Sequence, residues 1–162
     1  MSPMPSATML LVIPTYNEAG NIVRLLEEVH AQRLDLDILV IDDASPDGTA
    51  ALVEELAPRI PVRVIRRAGK LGIGSAHKLG IRQAIEGGYA RLMTMDGDFA
   101  HDPAYLRTML ASAGAADVVI GSRYLPGGGL EGWSAVRRLI THTAHALTTR
   151  ILRLPYDCTG AF

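Results

Sequence analysis

Runs of buried-type residues alternate with amphipathic stretches along the whole chain. Thr8–Ile13 is continuously apolar after its first residue and reads as a buried strand that Pro14 ends. Asn17–Gln32 follows with Ile22, Leu25, Leu26 and Val29 at helical spacing. Asp37–Ile41 is a second apolar run, closing on Asp42 and Asp43. Ser45-Pro46-Asp47-Gly48 is turn chemistry leading into a helix over Thr49–Ala57. Val62–Ile65 is a third strand. A glycine-rich loop, Gly69–Gly74, precedes a helix that runs to about Glu86 and breaks at Gly87-Gly88. Tyr89–Met95 is a fourth strand, Pro103 opens a helix near Ala104–Ala111, and Val118–Ile120 is a fifth strand leading to Gly121-Ser122-Arg123. Leu125–Gly132 holds four glycines and a proline and reads as a mobile loop. Ser134–Leu152 is a long helix with Leu139, Ile140, Ala144, Leu147, Ile151 and Leu152 as an apolar stripe beside Arg137, Arg138, His142, Arg150 and Arg153.

Repeated βα units of this length predict an α/β fold, a parallel or mostly parallel sheet with helices on both faces. Ligands in such sheets bind outside the carboxyl ends of the strands. The unusual polar residues fall there: Thr15, Tyr16 and Glu18 after the first strand, Asp42 and Asp43 after the second, Asp96 and Asp98 after the fourth, Arg123 after the fifth. One site drawing on several strand ends explains them better than separate acidic turns.

Asp96-Gly97-Asp98 carries the sharpest chemical content. Two like charges at the end of an apolar strand repel and lose hydration in a concave site. A divalent cation removes the conflict, and hard carboxylate oxygens suit Mg²⁺ or Mn²⁺, which share their remaining positions with substrate phosphates. Asp-Gly is also a common turn dipeptide, and taken alone the motif fits a solvated turn equally well. His101 follows closely enough to support the pair.

Composition narrows the classes. Hydrophobic residues make up 48% and charged residues 20% of 162 positions, which is globular. The net charge of −1 conceals an acidic first 60 residues and a basic remainder, the latter suited to phosphate or an anionic membrane surface. Cys158 is the single cysteine, which excludes an intrachain disulfide and fits a reducing compartment. Met9–Ile13 lacks the basic flank of a signal peptide, and no stretch reaches the roughly 20 apolar residues of a membrane span. Gly72-Ile73-Gly74 resembles the start of a dinucleotide fingerprint, but His77 occupies the last glycine position and the loop follows the third strand, so a nicotinamide-dependent oxidoreductase is disfavoured. Gly69-Lys70 is not a Walker motif, and Lys70 reads as a solvated loop lysine that could approach a phosphate. The histidines lack zinc spacing, and Ser45, Ser75 and Ser122 lack a nucleophile-elbow context.

Six segments in order resemble a family 2 glycosyltransferase of GT-A fold, in particular the polyprenol (dolichol) monophosphate mannose synthases. They are Ile13-Pro14-Thr15-Tyr16-Asn17-Glu18; Ile41-Asp42-Asp43-Ala44-Ser45-Pro46-Asp47-Gly48-Thr49; Met95-Asp96-Gly97-Asp98-Phe99-Ala100-His101; Gly121-Ser122-Arg123-Tyr124; Glu131-Gly132-Trp133 followed by Arg137-Arg138; and Thr159-Gly160-Ala161-Phe162. P-T-Y-N-E alone marks the broad superfamily, while its combination with D-D-x-S-P-D-G-T and G-S-R-Y is far more specific.

The resemblance implies a Rossmann-like, mostly parallel sheet with a C-terminal amphipathic interface helix over about 134–152. It implies transfer of mannose, with inversion, from GDP-mannose to a polyprenyl phosphate. Pro14, Tyr16, Glu18, Ile41 and Asp43 would hold the guanosine, with Asp96 and Gly97 completing the nucleotide-sugar set. Asp96 and Asp98 would hold Mg²⁺ or Mn²⁺, Arg123 and Arg137 would contact phosphate, and catalysis would rest on Asp98 and Arg123. It implies no nucleic-acid partner and peripheral contact with the cytoplasmic face of a membrane. A UDP-sugar donor, a saccharide acceptor, or nucleotide binding without transfer are the alternatives. Ala100 stands where relatives often carry Gln or Ser, leaving a third protein ligand unidentified. The family usually continues beyond the position of Phe162, so residues 1–162 are expected to be one catalytic domain cut short at its C-terminus.

Overall fold

The computed structural model describes residues 7–114, 116–122, 134–151 and 153. They fall into two compact units, the first ending at Arg107 and the second beginning at Thr108. The first unit holds four strands, β1 (Met9–Thr15), β2 (Leu36–Asp42), β3 (Val62–Arg66) and β4 (Arg91–Thr94), joined by α1 (Ile22–Ala31), α2 (Thr49–Leu56) and α3 (Ile73–Gly87). A 3₁₀ turn, Pro103–Tyr105, leads into α4 (Leu106–Ser112), and α5 spans Ala135–Arg150.

The sheet is parallel throughout, in the order β3-β2-β1-β4. Leu10, Leu11, Val12 and Ile13 of the central β1 are wholly inaccessible, as a strand covered by helices on both faces requires. The helices cover it with the faces that periodicity predicts: α1 buries Ile22, Leu25, Leu26 and Val29. On α3 the buried stripe is small, Ala76, Gly80 and Ala84. Gly80 is there for proximity, since a Cβ at this position would lie 2.7 Å from Val12 Cγ1.

Three expectations are corrected in detail. Pro14 does not end β1, which continues to Thr15 in register with Asp42. Val12 accepts from the Met95 N–H on the β4 side, and Pro14, two residues on, faces the same side, where the β1–β4 ladder has already stopped at Thr94. The missing proline N–H therefore has no partner to lose. The first helix begins at Ile22 rather than Asn17, because Asn17 adopts φ +62° and the preceding turn is built from loop-to-loop hydrogen bonds. Val118–Ile120 forms no strand, and Val118 is exposed. Three residues of β-type composition do not make a strand without a neighbouring edge to pair with.

Between β1 and β4 the chain order reverses: β1 connects to β2 on one side, while the crossover from β3 carries the chain to the other. This switch point opens a crevice at the carboxyl ends of the strands.

Candidate functional site

Two loops frame the crevice on the β1–β2 side, and hydrogen bonds lock them together. The Asn17 N–H donates to Ser45 Oγ at 3.0 Å, the Glu18 N–H to Thr49 Oγ1 at 3.0 Å, and the Ala19 N–H to Asp47 Oδ2 at 2.9 Å. Asp47 also accepts from the Thr49 N–H at 3.1 Å and the Thr49 hydroxyl at 2.6 Å. Gly48, at φ +88°, makes the tight turn that brings both Thr49 donors to Asp47. The S-P-D-G-T segment is thus a clamp that holds the loop carrying Tyr16 and Glu18. Asp42 anchors its root, accepting from the Thr15 hydroxyl at 3.0 Å, the Ser45 N–H at 2.9 Å and the Ser45 hydroxyl.

The Thr49 hydroxyl, followed by the backbone donors, holds the Asp47 carboxyl below its ordinary 3.8. A depressed pKa means that this stabilisation is complete above the ordinary value and is lost as pH falls through the folded one. In acid titrations followed by circular dichroism, the wild type is expected to lose stability below about pH 4 more steeply than Asp47→Asn. Parallel curves would show that the clamp does not depend on the Asp47 charge.

On the β2–β3 side, Asp43 and Arg67 form a buried ion pair, with side chains 7% and 6% exposed. Asp43 Oδ2 accepts from the N–H groups of Leu71 and Gly72 at 3.1 and 2.8 Å. Arg67 donates to the Ser75 hydroxyl and, at 3.1 Å, to the Gly72 carbonyl. The pair therefore latches the glycine-rich loop onto the sheet edge. Asp43 Oδ1 makes no aligned hydrogen bond, and Arg67 Nε has no hydrogen-bond partner. Asp43 Oδ1 is nevertheless the oxygen that meets the Arg67 guanidinium in the ion pair, so of these two atoms only Arg67 Nε is without a partner. One residue before Leu71, Lys70 places its ammonium 3.8 Å from the centroid of the half-exposed Tyr16 ring.

At β4, Asp96-Gly97-Asp98 turns away from the strand end. A Cβ on Gly97 would lie 3.2 Å from Glu18 Cγ and 3.3 Å from Thr15 Cγ2. A side chain at this position would require Glu18 or Thr15 to give by a few tenths of an ångström, so glycine favours the close approach of the acidic turn to the P-T-Y-N-E loop. Asp98 Oδ1 accepts from the Ala100 N–H at 2.9 Å, with Phe99 at φ +62°. Position 100 thus contributes a backbone donor to the turn. The buried His101 accepts from the Asp96 N–H through Nδ1 at 3.1 Å, which leaves its proton on Nε2, 3.9 Å from Asp96 Oδ2. His101 supports Asp96 rather than competing with it for a cation.

No group of three or more His, Cys, Asp or Glu side chains among the described residues is arranged to hold a metal ion. The donor set is two carboxylates flanking one glycine, half-buried at Asp96 and exposed at Asp98. This fits a hard cation that takes its remaining positions from water and substrate phosphate, and it does not fit a closed structural site.

Tyr16, Glu18, Asp43, Asp96, Gly97 and Asp98 all lie at the carboxyl edge of the first unit's sheet, as expected from the sequence. Pro14 is the penultimate residue of β1. Ile41 is fully buried in the core cluster with Leu10, Val12 and Leu39, so its side chain packs rather than lines the crevice. Arg123 lies outside the described residues, as does the side chain of Arg137 in α5. Arg67 was not singled out from the sequence, although it directly follows β3 and obeys the same strand-end rule that singles out Asp42 and Asp43.

The sequence model of glycosyl transferase family 2 matches residues 10–161. The chain belongs to glycosyl transferase family 2. Its relatives in this family include the polyprenol monophosphomannose synthase of Mycolicibacterium smegmatis, 40% identical over 162 residues, covering 98% of this chain and 61% of the relative. The dolichol-phosphate mannosyltransferase of Pyrococcus furiosus is 37% identical over 137 residues, covering 83% of this chain and 38% of the relative. The chain thus spans between about two-fifths and three-fifths of the length of these family 2 proteins. Among solved structures, the mannosyl-3-phosphoglycerate synthase of Rubrobacter xylanophilus superposes with a TM-score of 0.59 at 23% identity, covering 89% of this chain and 47% of that one. That likeness establishes the GT-A glycosyltransferase fold for this family 2 chain.

Proposed function

We propose that this chain carries the donor site of an inverting mannosyltransferase that moves mannose from GDP-mannose to a polyprenyl phosphate. The observation that carries the reading is the gathering, along one carboxyl edge of the sheet, of a buried Asp43–Arg67 ion pair that fastens the glycine-rich loop and an exposed acidic turn packed against Thr15 and Glu18. Tyr16 offers an exposed ring on which a nucleobase such as guanine can stack, and Asp43 is the proposed acceptor for the base's N–H donors. The names of the relatives favour mannose as the sugar and a polyprenyl phosphate as the acceptor.

Asp96 and Asp98 would hold Mg²⁺ or Mn²⁺, which when bound offsets the charge that gathers on the leaving diphosphate. His101 keeps Asp96 in place, the Ala100 N–H keeps Asp98 in place, and the Asp47 clamp sets the loop bearing Tyr16 and Glu18. Arg123 and Arg137 are the proposed phosphate contacts. The acceptor needs no strong general base, because a phosphomonoester is already largely dianionic above its second pKa of about 6.

A polyprenyl acceptor requires contact with a membrane. No helix among the described residues is long and apolar enough to cross one. Helix α5 leaves Val136, Leu139, Ile140 and Leu147 exposed, at spacings that form one stripe. An apolar stripe beside basic residues suits a helix lying in an anionic interface. Peripheral attachment at the cytoplasmic face is therefore part of the proposal.

The test is a donor panel with a polyprenyl phosphate acceptor, followed by nucleotide release with and without Mn²⁺ or Mg²⁺. Release from GDP-mannose is expected to exceed that from UDP-glucose by at least about tenfold, the effect of a single lost buried hydrogen bond to a charged group, and to require the metal. Equal or greater release from UDP-glucose would overturn the donor assignment. Metal-dependent GDP binding without transfer would reduce the chain to a nucleotide-binding unit.

A further inference from the structure

We propose that Lys70 is a ligand for the diphosphate of the donor nucleotide, held ready at the rim of the crevice by the ring of Tyr16. The proposal rests on the nucleoside-diphosphate reading of this edge and adds a residue to it.

Three observations converge on Lys70. Its ammonium lies 3.8 Å from the Tyr16 ring centroid, yet among the described residues it enters no ion pair. An exposed cation–π contact is worth only about 0.5–1 kcal/mol, so it positions the side chain without fixing it. The backbone on both sides of Lys70 is fastened: Arg67 pairs with Asp43, and Leu71 and Gly72 donate to the same carboxylate. The lysine therefore starts from a fastened root and keeps an exposed tip.

Charge gives the tip its task. Glu18, Asp96 and Asp98 gather where the β4 turn meets the P-T-Y-N-E loop, with Gly97 packed against Thr15 and Glu18 on either side of Tyr16 in the chain. A diphosphate entering so acidic an edge needs cations. Arg67, the other cation on this loop, is buried and committed to Asp43. A nucleobase stacked on Tyr16 would take the ring face that Lys70 covers, a contact worth about 1–3 kcal/mol per base. The displaced ammonium, with three donors on a flexible stem, is suited to phosphate as a point charge.

The experiment is calorimetric titration of the 162-residue chain with GDP and with guanosine, each with Mn²⁺, for the wild type, Lys70→Ala and Lys70→Arg. Lys70→Ala is expected to melt with the wild type, to bind GDP about tenfold more weakly, as the loss of one charge-assisted contact implies, and to bind guanosine within about twofold. Lys70→Arg is expected to keep GDP binding within about threefold of the wild type, because the charge is kept, and added salt is expected to narrow the Lys70→Ala deficit. Unchanged GDP binding in Lys70→Ala overturns the assignment. So does an equal loss for GDP and guanosine, which would place the lysine on the base. A wild type that binds guanosine and GDP equally also overturns it, while a wild type that binds neither overturns the donor-site reading itself.

Discussion

Asp98→Ala is expected to lower metal-dependent sugar transfer by at least about 10²-fold, the scale of removing one preorganised electrostatic group from a transition state, with the fold intact. Asp98 is exposed and accepts a local hydrogen bond from the Ala100 N–H at 2.9 Å. Its removal leaves no buried donor stranded, so melting is expected to stay within the ±0.5 kcal/mol typical of surface substitutions. The functional loss is large because only two carboxylates flank Gly97, and a hard cation left with one of them loses both charge and geometry. Asp98→Asn separates charge from shape. It retains an acceptor for the Ala100 N–H and is expected to lose nearly as much activity as the alanine variant. Transfer rates measured against Mn²⁺ concentration decide the matter. Full turnover in Asp98→Ala would remove the metal–diphosphate assignment from this turn.

The second large effect concerns stability. Asp43→Ala is expected to destabilise the protein by about 3–5 kcal/mol, the usual result of breaking a buried ion pair from one side. The reason is what remains. The Arg67 guanidinium, 6% exposed, would keep a hydroxyl and a carbonyl as partners but no counter-charge. The N–H groups of Leu71 and Gly72 would lose their acceptor at the same time. For a chain of this size the melting temperature is expected to fall by roughly 10 °C, at about 2–4 °C per kcal/mol. The double variant Asp43→Ala/Arg67→Met is expected to melt above Asp43→Ala, since it removes the stranded charge and fills part of the space with an apolar side chain. Thermal melts of the two variants test this; a double variant that melts lower than Asp43→Ala would contradict a stranded charge as the cause. Both variants are expected to lose GDP affinity, because each releases the loop that carries Lys70.

Much of this architecture is legible in the chain itself. Strand and helix identities follow from local periodicity, which depends on nearest neighbours along the sequence and on little else. The α1 face formed by Ile22, Leu25, Leu26 and Val29 is buried as its spacing requires. The strand-end rule places Tyr16, Glu18, Asp43, Asp96 and Asp98 on one edge before any coordinate is known. Val118–Ile120 was misread because a strand exists only through its partner, and three β-branched residues cannot supply that information. Pro14 was misread for the same reason: whether a proline ends a strand depends on which side its missing N–H faces.

What the sequence determined alone is therefore the order of elements, the edge on which the polar residues gather, and, through motif resemblance, the family. The tertiary structure decided how those residues divide the work. Ser45, Asp47 and Thr49 hold a loop that lies 28 to 31 residues away in the chain. Asp43 faces Arg67 and the glycine-rich loop, Ile41 belongs to the core, and Lys70 rests on Tyr16. No local pattern encodes these pairings. They arise because the parallel pairing of β1 with β2 and of β2 with β3 sets the loops at their carboxyl ends side by side, and burial then makes the charges there find partners.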